Sequence, residues 1–244
     1  MESLNNFFQK AIKSNDPEEV NDFLIRLGKD PKREYISFID YFIDKIDLPI
    51  FEKIKLNLIF ILGEIGEKAQ LDKKYLKFLE DVYYKSDRWV RNEIIQTLYR
   101  ISTKTELLKD HLQIIRFSLT EDYDPVVINA LNLLLSIQNV PNVILKNVIQ
   151  ILKTKNPEIF DKCTLVLQKF ISDSNQLFYL LNDLDMYKSI KKNTIRSLLI
   201  AYFKSAITLE PFRKKIETAR WDIDIKETYI KEIDTYERIL LKNL

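Results

Sequence analysis

The stretch DRWVRNEIIQTLYRI, residues 87–101, decides the fold. Its apolar residues Val90, Ile94, Ile95, Leu98 and Ile101 stand at offsets 0, 4, 5, 8 and 11. At 3.6 residues per turn those offsets share one face of a helix. The same offsets recur 36 residues earlier as Ile54, Leu58, Ile59, Leu62 and Ile65, and 36 residues later as Val126, Ala130, Leu131, Leu134 and Ile137. Three copies at one period make a repeat, and a helical repeat of that length predicts an α-solenoid. The columns continue with shorter spacing as Ile159, Cys163, Leu167 and Phe170, then as Ile190, Thr194, Leu198 and Ala201. Blurring toward one end is what a stack with atypical terminal repeats predicts.

Working outward, Asp16-Pro17, Asp30-Pro31, Asp124-Pro125 and Asn156-Pro157 each place an acceptor before proline, the signature of an N-cap followed by the first helical residue. Asp16 and Glu19 have capping-box spacing. Helices are predicted over 4–13, 17–27, 32–46, 49–65, 75–85, 87–102, 106–119, 125–137, 142–152, 157–171, 177–184, 189–203, 210–218 and 225–244. The last of these, with Ile225, Tyr229, Ile233, Tyr236 and Leu240 in steps of 4, 4, 3 and 4, reads as a helix that caps the open end.

Composition agrees. Only three glycines occur in 244 residues (Gly28, Gly63 and Gly66), too few for hairpin turns or phosphate loops. Hydrophobic residues make up 46% and charged residues 30%, the balance of a folded, soluble chain. A net charge of +2 lacks the basic excess of a nucleic-acid binder. A single cysteine, Cys163, suits a reducing compartment. The first residues, MESLNNFFQKAIKSND, carry charges throughout and hold no signal-like apolar run, and no stretch has the ~20 apolar residues of a membrane span. A cytoplasmic location is expected.

The pattern resembles the HEAT-repeat family of armadillo-type α-solenoids. Asp87, Val90 and Arg91 match the family's D-x-x-V-R element, Leu62-Gly63-Glu64-Ile65-Gly66 its helix-ending turn, and Asp122, Asp124 and Pro125 its D-x-D-P entry. Val127 and Ile128 depart from the Val-Arg pair. The resemblance implies stacked antiparallel helix pairs over 49–203, N-terminal helices over 1–48 and a C-terminal cap over 204–244, all in one domain. It also implies structural roles for Asp87, Arg91 and Asp124, and a concave surface lined by the second helices.

The flank opposite the core columns therefore carries the expected binding residues. Offsets 2, 6, 9 and 10 select Leu56, Phe60, Gly63 and Glu64, then Asn92, Gln96, Tyr99 and Arg100, then Ile128, Asn132, Leu135 and Ser136. A solvated face would be charged, whereas this one mixes apolar, aromatic and amide groups, as a protein-binding patch does. Leu56, Phe60, Asn92, Gln96, Tyr99, Arg100, Ile128 and Asn132 are the predicted partner-binding set, and the partner is a protein or peptide.

Other chemistries find less footing. Trp89-Val90-Arg91-Asn92 is similar to the W-x-R-R element of HEAT-like alkylpurine DNA glycosylases but puts Asn92 where the second arginine belongs. Nucleic-acid binding or DNA repair is the alternative function. Trp89 is expected to pack as a helix cap. The short clusters Lys188, Lys191, Lys192, Arg196 and Arg213, Lys214, Lys215 read as solvated faces. The only histidine, His111, is expected at the surface or its boundary, and Cys163 in the core. The pairs Asp122/Asp124, Asp183/Asp185 and Asp222/Asp224 are two residues apart, a spacing for caps and loops. No phosphate-loop, dinucleotide or zinc-protease motif occurs. The expectation is a non-catalytic scaffold without cofactor or metal.

Overall fold

The computed structural model describes residues 4–107, 109–183, 185–203 and 206–242. Leu108 and Leu184, both assigned to helices from spacing, and the expected helix end at 244 lie outside them. The described residues contain fifteen α-helices and one 3-10 turn, and no strand. The chain divides into two compact units, Met1–Ile115 and Arg116–Leu244.

The first unit holds α1 (Leu4–Ser14), α2 (Pro17–Gly28), a 3-10 turn (Arg33–Tyr35), α3 (Ile36–Asp44), α4 (Leu48–Lys68), α5 (Lys73–Tyr83) and α6 (Arg88–Ser102). The division falls inside α7 (Lys109–Ser118). Here α4 packs against α2 on one side and most extensively against α6 on the other, while α1 rests on α2, α3 on α4 and α5 on α6. Thr97 Oγ1 donates to the Ile59 carbonyl at 3.1 Å, Asn57 Nδ2 to Asn21 Oδ1 at 2.8 Å, and the Leu71 amide to Thr105 Oγ1 at 3.1 Å. These bonds join positions 38, 36 and 34 apart, close to the spacing of the sequence repeat.

The second unit holds α8 (Asp124–Ser136), α9 (Asn142–Ile151), α10 (Pro157–Phe170), α11 (Ser174–Asn182), α12 (Met186–Ser189), α13 (Lys192–Tyr202), α14 (Ala206–Thr218) and α15 (Ile223–Lys242). α10 packs on α8, α9 and α13, and α15 on α13 and α14. Lys162 Nζ donates to Asn132 Oδ1 at 2.8 Å, and Lys169 Nζ donates to the Leu135 and Ile137 carbonyls at 2.6 Å each. A cation placed on those carbonyls satisfies acceptors that the end of α8 leaves open.

The repeat columns form the core. Every one of the five positions in the first two copies is buried, as are Val126, Ala130, Leu131 and Leu134 in the third. Burying one such aliphatic side chain contributes about 1.5–3 kcal/mol. Ile137 is only half-buried because the backbone turns extended there (φ −89°, ψ 157°) and ends α8.

The start signals hold unevenly. Asp16 caps α2, and Asn156 accepts from the Glu158 and Ile159 amides to cap α10. Asp30-Pro31 starts no helix: Pro31 is buried in a loop, Lys32 remains extended, and the Pro31 carbonyl accepts from Lys68 Nζ at 3.3 Å. Asp124 is itself the first residue of α8 and accepts from Asn156 Nδ2 at 2.7 Å, so it ties its own helix to the cap of α10. The capping box at Asp16 is replaced by other bonds, since Glu19 pairs with Lys10 and the Asp16 amide donates to Ser14 Oγ. The predicted helix 189–203 begins at Lys192, because buried Ile190 is extended. α14 begins at 206, not 210, and carries Pro211 inside, which deprives the Ile207 carbonyl of its helical donor.

Candidate partner-binding face

The close packing of α4 on α6 follows from two glycines. A Cβ built on Gly66 would lie 2.5 Å from Ile101 Cγ1 and 2.9 Å from Leu71 Cδ1. One built on Gly63 would lie 2.6 Å from Arg100 Nε and 2.9 Å from Thr97 Oγ1. Gly66 thus admits a core side chain, and Gly63 admits an arginine that lies across α4.

That arginine organises the outward flank. Arg100 Nη2 donates to Thr97 Oγ1 at 3.1 Å and to Glu93 Oε1, its Nε is 3.7 Å from Glu64, and its guanidinium carbon stands 5.1 Å from the centre of the Phe60 ring. Burial holds the Glu93 carboxyl above the usual carboxylate range, although the Arg100 guanidinium pulls it back down. Around this ion network, Phe60 is 40% exposed, and Leu56 and Tyr99 are 44% exposed. Asn92 and Gln96 are half-buried among them. Six of the eight predicted residues therefore sit on the outward flanks of one packed helix pair. The other two, Ile128 and Asn132, lie half-buried on α8 in the second unit, with Asn132 bound to Lys162.

Several expectations change in three dimensions. Trp89 is no packing cap: its indole is 57% exposed, and the Arg88 guanidinium stands 5.4 Å from the ring centre. The position just before Val90 lies outside the buried arc of α6, so the ring cannot reach the core. His111 is buried at 5% exposure, on the side of α7 that also buries Ile115 and Ser118. Asp87 accepts from the Trp89 and Val90 amides, and Arg91 donates to the Ser86 carbonyl at 2.9 Å, so both secure the start of α6.

Most residues of the basic clusters pair locally, while Lys191 is exposed. Lys192 and Arg196 converge on Glu232, which is 1% exposed. Arg213 binds Glu217, Asp234 and Glu237, Lys214 approaches Glu210, and Lys215 stands 4.9 Å from the centre of the Tyr179 ring. The carboxylate pairs serve structure as well, with Asp183 accepting from Asn142 Nδ2 at 3.0 Å and Asp185 pairing with Lys188 at 3.5 Å. Among the described residues no group of three or more His, Cys, Asp or Glu side chains is placed to hold a metal, and no helix is long and apolar enough to cross a membrane.

Cys163 is fully buried, and burial pushes its thiol up to about 12 from an ordinary 9.0. The thiolate fraction at pH 8 should fall about a thousandfold, so a disulfide reagent should label Cys163 in urea-unfolded protein and hardly at all in the native chain. Rapid native labelling would show that the α10 seam opens easily.

The structure is similar to the crystal structure of an engineered protein, a target of the Northeast Structural Genomics Consortium, with a TM-score of 0.55 over 96% of this chain and 98% of that one. The two are 13% identical in sequence, so the likeness shows a shared fold alone. No family model and no curated protein matches the chain.

The polar half of the site was not visible in the sequence. Glu93 and Thr97 stand at offsets 3 and 7, between the core columns and the outward set, and nothing in the spacing marks them as partners of Arg100. The one available signal was Gly63, a glycine in the middle of a strongly periodic helix, which points to something approaching closely.

Proposed function

We propose that this protein is a non-catalytic scaffold built of HEAT-like helix pairs stacked as an α-solenoid within each unit, in a cytoplasmic setting. It binds a protein or peptide through the outward flanks of its second helices. The observation that carries this reading is the α4–α6 flank. Leu56, Phe60 and Tyr99 are exposed there beside two amides, on two helices that approach closely at Gly63 and Gly66. Exposed aromatic and aliphatic side chains on a rigid frame bind with little ordering cost. The burial of His111 and Cys163 supports a non-catalytic role, since the residue types best suited to nucleophilic or proton-transfer chemistry point inward.

The test is capture of native partners by the purified chain, identified by mass spectrometry and repeated with Phe60→Ala/Gln96→Ala and with Asn132→Ala. Specific partners should be lost from the α4–α6 variant at unchanged melting temperature. Retention of every partner by both variants would overturn the proposal. One feature favours the alternative, nucleic-acid binding or repair, namely the exposed Trp89 ring with Arg88 beside it. That reading requires retention on heparin at moderate salt and its loss in Trp89→Ala. The local pairing of the basic clusters supports the scaffold reading against it.

A further inference from the structure

We infer that the α4–α6 flank receives a cationic side chain, arginine or lysine, carried by a peptide partner beside apolar residues. The inference rests on the scaffold reading and names the chemistry of its partner. The charge count of the flank favours a cation. Two carboxylates, Glu64 and Glu93, share one guanidinium, that of Arg100. Arg100 Nη2 is committed to Glu93 and Thr97, whereas Glu64 is reached only by Nε at 3.7 Å, beyond hydrogen-bond distance. Glu64 is also the more accessible carboxylate, with its side chain 27% exposed against 17% for Glu93. Its oxygens keep acceptor capacity for a second donor. Along α4, Glu52 is neutralised by Lys55, and the exposed Lys53 lies about three turns from Glu64 on the far side of Leu56.

The aromatic groups match the same ligand. Phe60 lies one turn before Glu64 on the same flank, and Arg100 already stands near its ring. Tyr99 exposes a second ring on α6. A guanidinium or ammonium group brought to this flank can pair with Glu64 while resting on Phe60, and its neighbours in the peptide can cover Leu56. An acidic residue would meet the surplus negative charge. A wholly apolar segment would bury Glu64 with its charge unanswered.

The experiment is a titration of the full-length, nitrogen-15-labelled chain with two blocked pentapeptides, acetyl-ALRLA-amide and acetyl-ALELA-amide, followed by amide shifts. The arginine peptide should move resonances of residues 56–67 and 92–100 and bind at least about fivefold more tightly than the glutamate peptide. Glu64→Gln should erase that preference, and Glu227→Gln on α15 should keep it. Equal binding of both peptides, absence of shifts with either, or a preference that survives Glu64→Gln would overturn the inference. If the preference fails while Phe60→Ala/Gln96→Ala still abolishes capture of native partners, the cation is wrong and the scaffold stands. If that variant and Asn132→Ala both capture normally, the scaffold reading falls as well.

Discussion

Leu98→Ala should lower the free energy of unfolding by roughly 2–5 kcal/mol, whereas Tyr99→Ala, one residue away, should change it by less than about 0.5 kcal/mol. Leu98 has no exposed surface and lies in the fourth column of the central repeat, in the core that α6 helps to form. Truncation there removes buried methyl groups and leaves a cavity that a close-packed helix pair closes only in part. Tyr99 is turned 100° around the same helix and is 44% exposed. Urea unfolding followed by circular dichroism separates the two, with the slope m expected to stay constant. If Tyr99→Ala costs as much as Leu98→Ala, the outward flank is itself packed, and no binding surface exists there.

The second large effect is expected at Gly66. In an exposed helix, Gly→Ala stabilises by about 1 kcal/mol through backbone entropy and propensity. At position 66 the sign should reverse, with a net loss of roughly 1–3 kcal/mol. The new methyl would lie 2.5 Å from Cγ1 of Ile101, a side chain with no exposed surface, and β-branched residues in a helix are held to one preferred rotamer. Gly63→Ala is the comparison, because there the nearest obstacle is the Arg100 guanidinium at 2.6 Å, which can swing away, and only the Thr97 hydroxyl at 2.9 Å is a buried neighbour that must give. Its stability cost should be smaller, and its main consequence should be the loss of the Arg100–Glu93 bond and of the guanidinium near Phe60. Thermal and urea midpoints of the two variants give the order. A Gly66→Ala protein as stable as the parent would mean that α4 and α6 are not held at this distance.

The outward residues and the core residues were legible for the same reason. Helical periodicity sorts side chains by angle, and burial obeys the angle wherever a helix is long and continuous. Phe60, Gln96 and Tyr99 were placed on the flank by offset alone, and Leu58, Ile94 and Leu131 in the core, and each lies where its offset puts it. The reading weakened where a helix ends or bends, because periodicity there gives way to local backbone choices. Ile137 and Ile190 turn extended, Pro31 stays in a loop, and Pro211 rides inside α14.

The sequence by itself determined that the chain is helical, which residues of the regular repeats meet in the interior, and which flank of α4 and α6 looks outward, since all three follow from spacing along one element. Only the tertiary structure decided what lies between elements. Arg100 crosses Gly63 to reach Glu64 and Phe60, Lys169 covers the end of α8, Trp89 stands outside the core and His111 inside it. Those outcomes depend on how closely two helices approach and at what rotation, and no pattern along a single helix contains that distance.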